Sequence, residues 1–82
     1  NGMKEQAVQT LANMKAVLEA AGLAVTDIAK TTVFVTNMDD FAAFNEVYAA
    51  FMGEHRPARV CVEVSNIAHG CLLEMDAICF KE

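Results

Sequence analysis

Arg56-Pro57-Ala58-Arg59-Val60-Cys61-Val62-Glu63-Val64 is the stretch on which the fold turns. Pro57 breaks the pattern before it, and from Arg59 onward polar and apolar residues alternate with a period of two. Val60, Val62 and Val64 point one way, and Arg59, Cys61 and Glu63 point the other, as a strand requires. Upstream the period is helical: Phe41, Phe44, Tyr48 and Phe51 recur at i, i+3, i+7 and i+10. Asn37 is placed as the N-cap of that helix, Asp39 and Asp40 lie in its first turn, and Gly53 ends it. Before it, Thr31-Thr32-Val33-Phe34-Val35-Thr36 is a β-branched and aromatic run of strand length. Earlier still, Ala7, Leu11, Met14, Leu18 and Ala21 make one stripe of an amphipathic helix, stopped by Gly22 with Leu23 as the apolar contact behind it.

Downstream, a turn at His69-Gly70 leads to a last strand from Cys71 to Phe80. Leu73, Met75, Ala77 and Cys79 share one side of it; Leu72, Glu74, Asp76, Ile78 and Phe80 share the other. The order α-β-α-β-β predicts an α/β (α+β) domain, a mixed sheet with two helices on one face. The opposite face mixes apolar and ionisable side chains, which suggests that another subunit covers it. No strand precedes the first helix, so residues 1–82 read as a single domain incomplete at its N-terminal side. Asn1-Gly2 is set aside from the fold.

Composition sharpens this. A chain of 82 residues buries only about 60–65% of its unfolded surface, yet 55% of the residues are hydrophobic. That excess again points to an oligomer. Cys61, Cys71 and Cys79 are odd in number and sit in apolar stretches, so reduced thiols in a cytoplasmic protein are expected. Cys61, His69 and Cys71 lack the paired spacing of a metal site, and no metal is expected. Six basic residues against eleven acidic ones give a net charge of −5. No basic run exists, so a nucleic-acid partner is not expected. No apolar stretch approaches the roughly 18 residues of a membrane span, so no membrane partner is expected.

The chemistry-bearing residues cluster in Arg59-Val60-Cys61 and Leu73-Glu74-Met75-Asp76. If the two final strands pair as an antiparallel hairpin, Arg59 or Cys61 lies near Glu74 or Asp76. A guanidinium there would grip a carboxylate in bidentate fashion. A carboxyl group in the same pocket would orient a water or exchange a proton. The competing reading is a structural ion pair of Arg59 with Glu63 or Glu74. Likewise Cys61 reads as a small packed residue, Asn45 as an exposed helix position, the five Met residues as core filler, and His55 and His69 as solvated loop residues without a role.

The stretch from Thr31 to Phe80 resembles the Rid family of reactive intermediate deaminases, also called YjgF-like proteins. The resemblance rests on Thr32 to Thr36, Asp40-Phe41-Ala42-Ala43-Phe44-Asn45-Glu46-Val47-Tyr48, Gly53-Glu54-His55, Pro57 to Val64 and Leu73 to Ile78. Leu11 to Gly22 fits the same pattern. The resemblance implies a chorismate-mutase-like fold assembled as a homotrimer with clefts between subunits. It implies that Arg59 grips the substrate carboxylate, that Cys61 lines the pocket and lends a backbone N–H, that Glu74 holds the attacking water, and that Asn45 supports the pocket. The implied reaction, without cofactor or metal, hydrolyses 2-aminoacrylate-type enamines and imines to a 2-keto acid and ammonia. The alternative is a non-catalytic trimeric module that binds 2-keto acids or another protein. Family members carry an N-terminal β-hairpin and a further strand with a Tyr and a Ser-Gly pair, which this sequence lacks. The resemblance places the further strand beside the C-terminal strand, next to Glu74.

Overall fold

A computed structural model describes residues 2–80. Asn1, set aside above, lies outside them. Gly2, set aside with it, takes part in the fold: its N–H donates to Glu5 Oε1 at 3.0 Å and its carbonyl accepts from Gln6 at the start of the first helix. The regular elements are α1 (Met3–Ala20), β1 (Ile28–Val35), α2 (Phe41–Met52), β2 (Ala58–Glu63) and β3 (Leu73–Cys79).

Each helix ends for a visible local reason. After α1, Gly22 adopts φ 76°, the left-handed region that a Cβ disfavours. Its N–H then donates to the Glu19 carbonyl at 3.1 Å and the Leu23 N–H to the Leu18 carbonyl at 2.8 Å, the paired closure of a Schellman turn. At the start of α2 the expected cap is displaced by one turn. Asn37 Oδ1 accepts from the Asp39 N–H at 2.9 Å and opens a 3₁₀ turn over Met38–Asp40, and α2 begins only at Phe41. At its far end Gly53 sits at φ 62° and ψ −122°, a backbone state that glycine alone adopts freely.

The sheet order is β2-β1-β3. β1 pairs in parallel with β2 and antiparallel with β3. This corrects the hairpin expected between the last two strands: β2 and β3 are the two edges, and β1 lies between them. The reason is that β1 offers the most apolar pleat, with Val33 and Val35 fully buried, and a central strand is the one buried along both ladders. α2 supplies the crossover that parallel pairing of β1 with β2 needs. The loop after β2 then carries β3 around to the other side of β1. β1 also begins at Ile28, earlier than the threonine run suggested, because Ile28 is buried and pairs with Cys79. β3 is shorter than expected, starting at Leu73 rather than Cys71.

Both helices cover one face, as the pattern predicted. The core joins Met3, Ala7, Leu11 and Leu18 of α1, Phe44, Tyr48 and Met52 of α2, and Val33, Val35, Leu73 and Met75 of the sheet. Ala21, placed on the buried stripe of α1 by spacing, is exposed because the helix has already ended. On the opposite face Val60, Val62 and Ile78 are 43%, 38% and 62% exposed, beside exposed Glu74 and Asp76. So the mixed apolar and acidic face read from the alternation exists, and nothing among the described residues covers it.

A hydrogen-bonded pair of hydroxyls lies inside the core. Thr31 is fully buried and its hydroxyl bonds the Tyr48 hydroxyl at 2.8 Å. Deleting one partner leaves the other buried without a bond, so Thr31→Val or Tyr48→Phe is expected to cost about 1–3 kcal/mol. The double variant should cost about 1 kcal/mol less than the sum of the two, since it leaves no orphan. Urea denaturation at fixed protein concentration measures this; strict additivity would show that the bond carries no coupling.

Candidate active site

The site is built on one face of α2. Phe41, Asn45 and Tyr48 fall at i, i+4 and i+7, so they line up along the helix. β2 runs past that line with Arg59 on the helix-facing side of the sheet. The Arg59 Nη1 donates to Asn45 Oδ1 at 2.6 Å. Its guanidinium carbon lies 5.0 Å from the centre of the Phe41 ring and 4.7 Å from that of Tyr48. Both distances are within the range where a ring quadrupole attracts a cation. Tyr48 is itself fixed from below by the Thr31 hydroxyl and from the side by Phe44, whose ring centre is 5.4 Å away. The chain of constraint is Thr31 to Tyr48 to Arg59. It holds a long, otherwise flexible side chain in one orientation.

The structural ion pair is absent among the described residues. Glu63 turns elsewhere and its Oε1 accepts from the Met38 N–H at 2.8 Å. Arg59 has aromatic faces and an amide oxygen for company, and no carboxylate among the described residues neutralises it. It lines an open cleft of about 470 Å³ together with Asn45, Tyr48, Ala49, Met52, Arg56 and Pro57, within the size range of small-ligand sites. A planar cation held this way presents a donor fork whose geometry matches that of a carboxylate.

Cys61 follows on the same side of β2, half-buried and free. Burial pushes its thiol up from the ordinary cysteine value, and the positive charge of Arg59 only partly offsets that. The thiol is therefore protonated at neutral pH, and thiolate, the reactive form, develops only at alkaline pH. Iodoacetamide should label Cys61 more slowly than an unhindered thiol at neutral pH, with a rate still climbing above about pH 9. Labelling faster than that of free cysteine would mean that the arginine outweighs burial.

Glu74 is elsewhere. In register it faces Phe34 across the β1–β3 ladder, while Arg59 faces Thr31 across the β1–β2 ladder. Thr31 points into the core, and Phe34, three residues on, belongs to the opposite side of the pleat. Arg59 and Glu74 thus lie on opposite faces of the sheet and on opposite edge strands. The convergence expected within one chain does not occur. Glu74 instead borders a second, apolar hollow of about 430 Å³ between α1 and the start of β3. Asp76 shares its face.

Four contributors were not legible in the sequence. Phe41 and Tyr48 were assigned to the core stripe, which is half true: Tyr48 is buried, yet its ring also supports Arg59. The available signal was Asn45, a polar residue at i+4 in the middle of that stripe. Arg56 was not expected in the cleft. His55, read as solvated, is half-buried, and its Nε2 donates to the Ile28 carbonyl at 2.7 Å, which moors the loop carrying Arg56 to β1. His69 is exposed. Among the described residues no three His, Cys, Asp or Glu side chains converge, and no helix is long and apolar enough to cross a membrane.

Comparison with known proteins places these features in a family context. A profile described as endoribonuclease L-PSP matches residues 1–81. A RutC family protein of Pyrococcus horikoshii is 51% identical over 80 residues, which are 98% of this chain and 64% of that protein. The 2-iminobutanoate/2-iminopropanoate deaminase of Escherichia coli is 51% identical over 79 residues, covering 93% of this chain and 62% of the relative. The crystal structure of Escherichia coli TdcF with bound serine superposes with a TM-score of 0.95 at 44% identity, covering 100% of this chain and 67% of that one. The chain therefore spans somewhat less than two thirds of the length of these curated relatives.

Proposed function

Because the chain belongs to the endoribonuclease L-PSP family, which takes in the Rid and YjgF proteins and their chorismate-mutase-like fold, we propose that it hydrolyses imines and enamines of small 2-keto acids, of the 2-iminopropanoate and 2-iminobutanoate type. The observation that carries this reading is Arg59: a guanidinium clamped by Phe41, Asn45 and Tyr48 and left without a carboxylate partner among the described residues. It receives the substrate carboxylate, and so fixes C2 of the imine at a set distance. Cys61, two residues on and half-buried, shapes the wall beside it and lends its backbone N–H.

Glu74 holds the water that adds to C2. Arg59 and Glu74 occupy opposite sheet faces, and in this reading the two come from different protomers. The exposed Val60, Val62 and Ile78 are the surface through which three copies associate in this reading, bringing the acidic side chain of one to the arginine of the next. The reaction then needs no cofactor or metal. Water supplies its oxygen to C2 and its two hydrogens to nitrogen, and ammonia leaves as the carbonyl forms. Glu74 takes the proton from the attacking water and returns it to the departing nitrogen.

A net charge of −5 and three free thiols suit a small-molecule enzyme of the reducing cytoplasm better than a protein that grips a phosphate backbone. The test is ammonia release from 2-iminobutanoate, generated in situ by a pyridoxal-phosphate dehydratase. Release faster than the spontaneous rate, and dependent on Arg59, supports the reading. Binding of 2-oxobutanoate without any acceleration would leave the protein as a 2-keto acid binding module.

A further inference from the structure

The chain contains two arginines, and both open onto the same cleft. Building on the carboxylate-binding role given to Arg59, we propose that the cleft discriminates in favour of dicarboxylates, with Arg56 receiving the distal carboxylate of a five-carbon 2-keto or 2-imino diacid.

Arg56 is held in place. Its Nη1 donates to the Gly53 carbonyl, and also to that of His55 at 3.0 Å. His55 is fixed in turn to the Ile28 carbonyl at 2.7 Å. The guanidinium is therefore tethered to a loop that His55 moors to β1, so less ordering remains to be done when a ligand arrives. Nε and Nη2 donate to no partner among the described residues. The other lining residues, Asn45, Tyr48, Ala49, Met52 and Pro57, bring no carboxylate. Two like charges on one cleft wall repel unless an anion joins them, and in a chain of net charge −5 their concentration here is a local reversal of sign. A cleft of about 470 Å³ has room for a diacid. The hydrolysis itself is unchanged: water adds to C2, the C–N bond breaks and ammonia leaves, while the distal carboxylate takes no part in bonding.

The test is a matched pair of ligands that differ only in the terminal group, 2-oxoglutarate and 2-oxopentanoate, titrated calorimetrically. The protein is expected to bind 2-oxoglutarate about fivefold more tightly, the size of one partly solvated charge pair. In Arg56→Gln that ratio should fall to near one, and in Arg56→Lys it should be partly retained. Equal affinities in the unaltered protein would overturn the proposal. So would a preference that survives Arg56→Gln. Arg59→Ala separates this inference from the one beneath it. If Arg59→Ala weakens both ligands while the pair is still not discriminated by the unaltered protein, only the assignment of Arg56 fails. If Arg59→Ala changes neither affinity, both fail.

Discussion

Arg59→Ala is expected to lower kcat/KM for a carboxylate-bearing imine by about 10²–10³, the usual consequence of removing a positioned, charge-assisted contact to a reacting substrate. The loss should be larger than charge alone explains. The guanidinium is stacked 4.7 Å from the Tyr48 ring and 5.0 Å from that of Phe41, with Nη1 on Asn45, so its geometry is set before substrate arrives. Arg59→Lys is the informative companion. An ammonium keeps the charge but loses the planar fork and the stacking, and it should recover little of the rate. The measurement is initial ammonia release across a substrate range, with spontaneous hydrolysis subtracted. Rates that match the unaltered protein in both variants would remove Arg59 from the chemistry. Native rates with lysine alone would mean that any cation suffices, and the aromatic clamp would have no catalytic meaning.

The second large effect is one of recovery. Arg59→Ala and Glu74→Ala should each be nearly inactive alone. Yet co-expressed and co-purified with different tags, they should regain about a quarter of the native activity. The arithmetic follows from symmetry: in the proposed arrangement each site draws its arginine from one protomer and its glutamate from another, and random assembly gives each an even chance of being intact. The structural ground is the register of the sheet. Arg59 lies opposite Thr31 on β2, Glu74 opposite Phe34 on β3, and a pleated strand cannot bring both to one side. Were both groups drawn from the same chain, every mixed assembly would carry the defect in each site, and no activity would return. A recovery of zero, with mixed oligomers verified by mass, would sink the shared-site arrangement.

Those expectations rest on different levels of information. The helices were legible because each carries its own period and its own stop: Leu11 and Leu18 on one stripe of α1, Gly22 closing it, Phe44 and Tyr48 on α2, Gly53 ending it. The faces of β2 and β3 were legible too, since alternation survives whatever the strands pair with. His55 was not. Its ring seeks a carbonyl on β1 that is 27 residues away in the chain, and no local pattern encodes that meeting. The same holds for Arg56, whose entry into the cleft depends on how the loop after Gly53 is moored.

By itself, then, the sequence determined two amphipathic helices, three strands, the side of the pleat on which each residue falls, and the arginine and glutamate through which the chain resembles its family. Those properties follow from nearest-neighbour geometry, which repeats every few residues. The tertiary structure alone decided which strand is central. β1 lies between β2 and β3 because the more apolar pleat gains most from being paired on both sides, a competition among segments far apart in the chain. That one choice sets Arg59 and Glu74 on opposite edge strands of the sheet.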